Sequence, residues 1–274
     1  MVRTATGASP HHVVRSLACD NRVMEEDRPI LTAADVLEWR RRRAGAVPST
    51  IDRVLLLADR SVVDEARRRR RGRAVDGPSG PTVIVGAPSR AIGVAAPPGV
   101  GAPAAAIAVE ELAALGAREI VFVGYAGGLD PDLAAGDVVV IADALREEGV
   151  SVQYGGTGAT SAADEVATAD LLRALSDAGL GPRRGRAWTT DALYRETPSA
   201  VGRAHAHGAL VVDLEVAAVF AVAAALGRAA AGALIVGDRL GSGRWEPPSD
   251  LEAVRRRFRA TADAVLDAWL ALAP

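Results

Sequence analysis

Aromatic residues are scarce in this chain: 3 Phe, 4 Trp and 3 Tyr make up 4% of 274 residues. Ala, Gly and Val fill the gap, which argues against an aromatic-rich sandwich and for helices packed closely on a sheet. Cysteine is almost missing. The single Cys19 can form no internal disulfide and suits a reducing cytosol. Charge of one sign is also missing, since 32 basic and 34 acidic residues leave a formal net charge of -2. That balance gives no general attraction to nucleic acid or to a membrane surface. No apolar run reaches the roughly 20 residues of a membrane span, and the opening MVRTATGASPHHVVRS lacks the apolar stretch of a secretory signal. These absences predict a cytoplasmic chain with no nucleic-acid and no membrane partner. What is present is apolar material: 49% of residues are hydrophobic, enough for a sizeable core.

Residues 1–50 differ from the rest and read as an N-terminal extension of a domain spanning 51–274. Within the extension, LTAADVLEWRRRR predicts a short helix with Thr32 as its N-cap. The second basic run, Arg67 to Arg71 with Arg73, reads as a solvated face or a mobile loop rather than a phosphate or nucleic-acid patch. From residue 52 short apolar runs alternate with Ala-rich helical runs. Strands are expected at 54–58, 82–85, 93–96, 119–123, 137–141, 185–189, 209–212 and 233–236, and helices at 103–115, 162–178, 215–226 and 250–272. The alternation predicts an α/β layer structure with a largely parallel sheet.

In such sheets ligands bind outside the carboxyl ends of strands. Gly124-Tyr125-Ala126-Gly127-Gly128 follows the strand EIVFVG and reads as a tight turn, with glycines that permit close backbone approach. In VVDLEVAAVF two carboxylates interrupt an apolar run, where burial without partners is costly. Asp213 can cap a helix, leaving Glu215 in its first turn, where the dipole favours a negative charge by roughly 0.3–1 kcal/mol. Alternatively a carboxylate there accepts two hydroxyls at once, as a vicinal diol requires. Asp238 ends the strand GALIVGD before Arg239; it forms an Asx turn or an ion pair, or it serves as a general acid raised by desolvation.

Several ordered stretches together resemble the nucleoside phosphorylase and nucleosidase superfamily, which includes uridine phosphorylase, purine nucleoside phosphorylase and methylthioadenosine/adenosylhomocysteine nucleosidase. The stretch GVGAPAAAIAVEELAALGAREIVFVGYAGGLDPDLAAGDVVV is similar to the family's helix, strand, G-x-x-G turn and GDVV strand. ALREEGVSVQY and AWTTDALYRET resemble its uridine-phosphorylase-like members, VVDLEVAAVFAVA its signature usually ending in Met-Glu, and VGDRL the strand bearing the catalytic Asp of purine-cleaving members. The resemblance implies a three-layer α/β/α fold around a central mixed, largely parallel sheet, assembled as a homodimer or homohexamer that cleaves the N-glycosidic bond of a nucleoside with no cofactor, phosphate being a candidate co-substrate. It implies that Glu215 takes the ribose hydroxyls, that Leu214, where the family usually has Met, packs on the sugar, and that Asp238 protonates a purine at N7. Asp213 remains the better candidate for the cap. Tyr125 and Gly127 fall at the substrate turn, and Thr190, Tyr194 and Arg195 on the base-side loop. An N-terminal His from a neighbouring subunit reaches the sugar 5′ position in the family, a place that His11 or His12 would take. Arg146 and Glu147 read as a structural pair.

Two phosphate-binding arginines of phosphorolytic members are missing from their usual positions. Phe122 stands in the strand before the G-x-x-G turn, and Ala58-Asp59-Arg60-Ser61-Val62 replaces a Gly-Asp-Pro-x-Arg loop. A dianion in a dry pocket needs charged partners, which leaves Arg60 or Arg90 as substitutes, or water as acceptor with a carboxylate such as Glu215 as base. Three readings stay open: a nucleoside-cleaving enzyme, a transferase acting on a modified nucleoside in specialised metabolism, and a nucleoside-binding protein without catalysis. Glu215 together with Asp238 argues against the last, because a binder has no use for an acid at the base.

Overall fold

The computed structural model describes residues 29–44, 51–77, 80–87 and 91–272. Contacts divide the chain into two units, 1–32 and 33–274, and the account below concerns the second. His11, His12 and Arg90, named above, lie outside the described residues, as do residues 1–28 and 45–50 of the expected extension. The helix expected near Trp39 is α1 (Ala33–Ala44), and its Leu37 is buried in the main core.

Alternation along the strands generates the layers. In β1 (Arg53–Leu57), Val54 and Leu56 join one apolar cluster while Leu55 and Leu57 join another, as strand geometry requires of successive residues. In β5 (Glu119–Gly128), Ile120 and Phe122 face the first cluster, Val121 and Val123 the second. The first cluster takes in α1, α3 (Ala102–Ala114) and α6 (Val216–Ala225). The second takes in α2 (Arg60–Arg69), α4 (Glu165–Asp177) and α7 (Leu251–Ala271). The result is the expected three-layer α/β/α arrangement around a mixed sheet.

The remaining strands are β2 (Arg73–Gly77), β3 (Gly80–Val85), β4 (Ile92–Ala95), β6 (Val138–Glu147), β7 (Thr160–Ala162), β8 (Arg183–Thr190), β9 (Ala209–Asp213) and β10 (Ala229–Arg239). Pairing follows the order β10-β6-β8-β9-β5-β1-β4-β3-β2, with β7 beside β6. Because β10 also pairs with β5, the strands β5, β10, β6, β8 and β9 close into a ring. Register shifts in β10 at Val236/Asp238, between β6 and β8 at Ile141/Asp143, and between β8 and β9 at Arg186/Ala187 supply the bends that closure needs. A third, smaller cluster, with Trp188 and Val212, packs against α5 (Pro198–Ala206).

One local expectation narrows and two change. The basic run is not a mobile loop but the expected solvated face: Arg67–Arg69 form the last turn of α2, where the helix dipole favours cations, Arg70 is its C-cap, and all but Arg70 are exposed. Val62, Val63 and Ala66 bury the opposite face, Arg69 reaches Asp263 at 2.6 Å, and Arg70 reaches Asp267 at 2.5 Å. The glycine stretch 124–128 is not a turn but the end of β5, paired with β10 on one side and with Val211 and Val212 of β9 on the other. Glycine is required there by close approach: a Cβ on Gly127 would lie 2.6 Å from Leu240 Cδ1. Arg146 and Glu147 do not form a pair. Arg146 gathers the carbonyls of Gly155, Gly156 and Gly158, and Glu147 accepts the Trp188 indole N–H at 2.9 Å. Among the described residues no helix is long and apolar enough to cross a membrane.

Candidate active site

The two carboxylates of VVDLEVAAVF divide their work at the β9–α6 turn. Helix α6 is apolar on every side and buried, so its first N–H groups have no water to bond. Asp213 Oδ2 accepts the N–H of Glu215 at 3.0 Å and of Val216 at 2.7 Å. Asp213 Oδ1 accepts Thr189 Oγ1–H at 2.6 Å, and Thr189 Oγ1 in turn accepts the N–H of Ala217 at 3.1 Å. Burial and the neighbouring Glu215 push the Asp213 carboxyl up to about 7, against these three donors. Asp213 thus caps the helix with its side chain, as expected, but from two residues before the N-cap, which is Glu215 itself rather than a residue of the first turn.

Glu215 has another task. Its Oε1 accepts the N–H of Gly101, at the head of α3, at 2.7 Å. Gly101 sits at φ 94°, a conformation that favours glycine. Burial raises the Glu215 carboxyl, and the N–H groups of Gly101 and Leu214 oppose that shift. With Asp213 serving the helix, Glu215 borders a cleft of about 430 Å³ at the carboxyl ends of β1, β5, β9 and β10. The cleft is also lined by Ala58, Tyr125, Gly127, Leu214 and Asp238.

Asp238 reaches the cleft past the register shift in β10. Its Oδ2 accepts Trp245 Nε1–H at 2.6 Å. Arg239 is turned elsewhere, toward Glu246 at 3.6 Å and the Pro131 carbonyl at 3.1 Å. Gly127 makes room for Asp238, since a Cβ there would stand 3.2 Å from Asp238 Oδ1. Tyr125 stacks on Phe258 with ring centroids 4.6 Å apart and donates its hydroxyl to Asp59 at 3.3 Å. Burial and the Asp59 charge push its phenol up to about 12.

The cleft therefore brings together Glu215, Asp238, Leu214, Gly127 and Tyr125. Thr190, Tyr194 and Arg195 are outside its wall; Thr190 is buried with its hydroxyl toward the N–H of Ala192, and Tyr194 and Arg195 are exposed. Their neighbours Leu193 and Glu196 line the cleft instead. Glu196 and Trp245 are the residues that sequence reasoning missed. The base-side segment was the available signal for Glu196; Trp245 lies in a loop with no periodicity to mark it. Phe122 is fully buried in the core, and Arg60 points to the Pro97 carbonyl at 3.2 Å rather than lining the cleft. Among the described residues no basic side chain lines the cleft, and no group of three or more His, Cys, Asp or Glu is placed to hold a metal.

The guanosine phosphorylase of Halorubrum lacusprofundi is 34% identical over 175 residues, which cover 61% of this chain and 73% of that protein. The uridine phosphorylase of Thermococcus kodakarensis is 38% identical over 96 residues, 35% of each chain. The crystal structure of purine nucleoside phosphorylase from Toxoplasma gondii in complex with immucillin-H has the same fold, with a TM-score of 0.71 at 24% identity over 81% of this chain and 91% of that one. The profile of the Phosphorylase superfamily matches residues 48–271, a span that holds every described cleft residue. On that match the chain belongs to the phosphorylase superfamily.

Proposed function

We propose that this chain cleaves the N-glycosidic bond of a purine nucleoside, with phosphate as acceptor. The observation that carries the reading is that Glu215, held by the Gly101 N–H, and Asp238 border one cleft at the carboxyl ends of the strands. Glu215 accepts the ribose hydroxyls, and a carboxylate can take both members of a vicinal diol. Leu214 lines the cleft beside it and offers an apolar surface to the sugar ring. A proton delivered from the Asp238 side to the base ring nitrogen lets the C1′–N bond break with its electron pair on the base. The acceptor oxygen then bonds to C1′ of the oxocarbenium-like sugar. A purine is favoured over uracil by Asp238 itself and by the longer match to the guanosine phosphorylase, 73% of that protein against 35% for the uridine phosphorylase. The same proposal places the enzyme in the cytoplasm as a homodimer or homohexamer, with its catalytic domain from about residue 51.

Water as acceptor is the second reading, and one observation favours it. The described wall of the cleft carries the carboxyls of Glu196, Asp213, Glu215 and Asp238 and no arginine to meet a phosphate dianion. Incubating a nucleoside panel with and without phosphate, and identifying the sugar product by mass spectrometry, separates the two. Ribose 1-phosphate formed only with phosphate supports phosphorolysis, free ribose at an unchanged rate supports hydrolysis, and no base release from any nucleoside overturns both.

A further inference from the structure

After β8 the chain passes through a short 3₁₀ turn, Leu193–Arg195, and the next residue, Glu196, lines the cleft. The charge that bears on Glu196 is that of Asp238, from β10. The other titratable groups on the cleft wall are Tyr125 from β5, with Asp213 and Glu215 from the β9–α6 turn. None of the described lining residues is a cation. A carboxyl beside an ionised carboxylate, with no cation to offset it, holds its own proton more tightly, because a second ionisation works against the first charge.

The hydrogen bonds distinguish the two. Asp238 has Oδ2 occupied as an acceptor by the Trp245 indole N–H at 2.6 Å. Neither oxygen of Glu196 takes a hydrogen bond or an ion pair among the described residues. Glu196 thus has both oxygens open to a proton. Partial burial, and then the charge of Asp238, push its carboxyl up to about 7.

We propose that Glu196 is a second acid of this site, carrying the proton that the Glu196–Asp238 pair gives to the departing base. The proposal rests on the nucleoside-cleaving reading and adds a catalytic residue to it. As the C1′–N bond breaks, its electron pair stays on the base, the pair's proton goes to a base ring nitrogen, and both carboxyls are left ionised until a proton returns from solvent. The pair's rate contribution is largest below about pH 7 and declines above it, since Glu196 must be protonated to act.

The test is a pH profile of kcat/KM from pH 5 to 9 for the wild type, Glu196→Gln and Glu196→Asp, on a purine nucleoside and on 4-nitrophenyl riboside, whose leaving group departs without protonation. Glu196→Gln is expected to lose about 10²-fold on the purine nucleoside near pH 6, the low end for losing an acid catalyst, together with the decline near pH 7. Its loss on 4-nitrophenyl riboside should be under about tenfold. Glu196→Asp, which keeps a carboxyl, should regain part of the rate and a pH-dependent limb. Equal losses on both substrates, or a Glu196→Gln profile that overlays the wild type, overturn the acid role. If the wild type releases base from no nucleoside, the nucleoside reading fails first; if it turns over normally and Glu196→Gln matches it, this inference alone fails.

Discussion

Oε1 of Glu215 accepts the backbone N–H of Gly101 at 2.7 Å, a contact that spans 114 residues of sequence and ties the head of α3 to the turn before α6. One carboxylate oxygen is thereby fixed by a main-chain group that no side-chain substitution removes.

Glu215→Gln is therefore expected to keep the fold, since its amide oxygen still accepts the Gly101 N–H. It loses the charge that meets the sugar hydroxyls. A hydrogen bond to a charged group contributes about 1.5–3 kcal/mol, so KM for a nucleoside should rise on the order of 10- to 100-fold. Unchanged kinetics in the purified variant would remove Glu215 from the sugar site.

Thr189→Val keeps the volume and removes two hydrogen bonds, the one given to Asp213 at 2.6 Å and the one taken from Ala217 at 3.1 Å. Both groups are buried, so the cost is about 1–3 kcal/mol of folding free energy. A urea titration measures it directly. A midpoint equal to the wild type would show that Asp213 and the N–H groups of α6 already satisfy each other.

Asp238→Asn preserves an acceptor for Trp245 and removes one carboxyl of the Glu196–Asp238 pair. Purine nucleosides should slow by about 10²–10⁴-fold, while 4-nitrophenyl riboside changes far less. Equal slowing on both would assign Asp238 to positioning. Because Arg239 is engaged by Glu246 and the Pro131 carbonyl, Arg239→Ala should leave the ratio between the two substrates unchanged.

The raised carboxyls set the sign of the pH dependence of stability. Glu196 has its native pKa near 7, above the ordinary 4.5 of a free glutamate. Its stabilising contribution is complete below about pH 4.5 and is lost as pH rises through about 7, because the native state holds the proton more tightly than the unfolded chain. Asp213 shifts in the same direction. Thermal melts from pH 4 to 8 should show a shallower fall in Tm for Glu196→Gln than for the wild type. Parallel curves would mean that Glu196 titrates as it does in the unfolded chain.

Much of this was legible in the chain because it depends on local pattern. The apolar runs at 54–58 and 119–123 read as strands, and the apolar run at 215–226 reads as a helix. Asp213, Glu215 and Asp238 were visible as charges at the ends of apolar strands. Partnerships across long distances in sequence were not legible. The glycines at 124–128 have turn composition, yet they pair as strand because β9 and β10 supply neighbours on both sides. Arg69 and Arg70 look like solvated charge until α7 brings Asp263 and Asp267 to them. Glu196 was hidden by its neighbours: nothing in Leu193-Tyr194-Arg195-Glu196 says which side chain faces inward, and the structure selects the first and the last.

Helix α6 has one further consequence, for local opening. Val216, Ala217, Ala218, Val219, Phe220, Val222 and Ala223 are buried while Ala224 and Ala225 at its end are exposed, and the carbonyl of Glu215 accepts the N–H of Val219 at 3.1 Å. Exposing its first two turns requires pulling them from the sheet and from α3, so the amides there should exchange with solvent only as fast as the whole domain unfolds. The carboxylate at its head inherits that rigidity. The geometry at Glu215 can then be lost by global unfolding but not by fraying, whereas Trp245, exposed on a loop, is tied to the cleft by its bond to Asp238 and by the bridge of its neighbour Glu246 to Arg239.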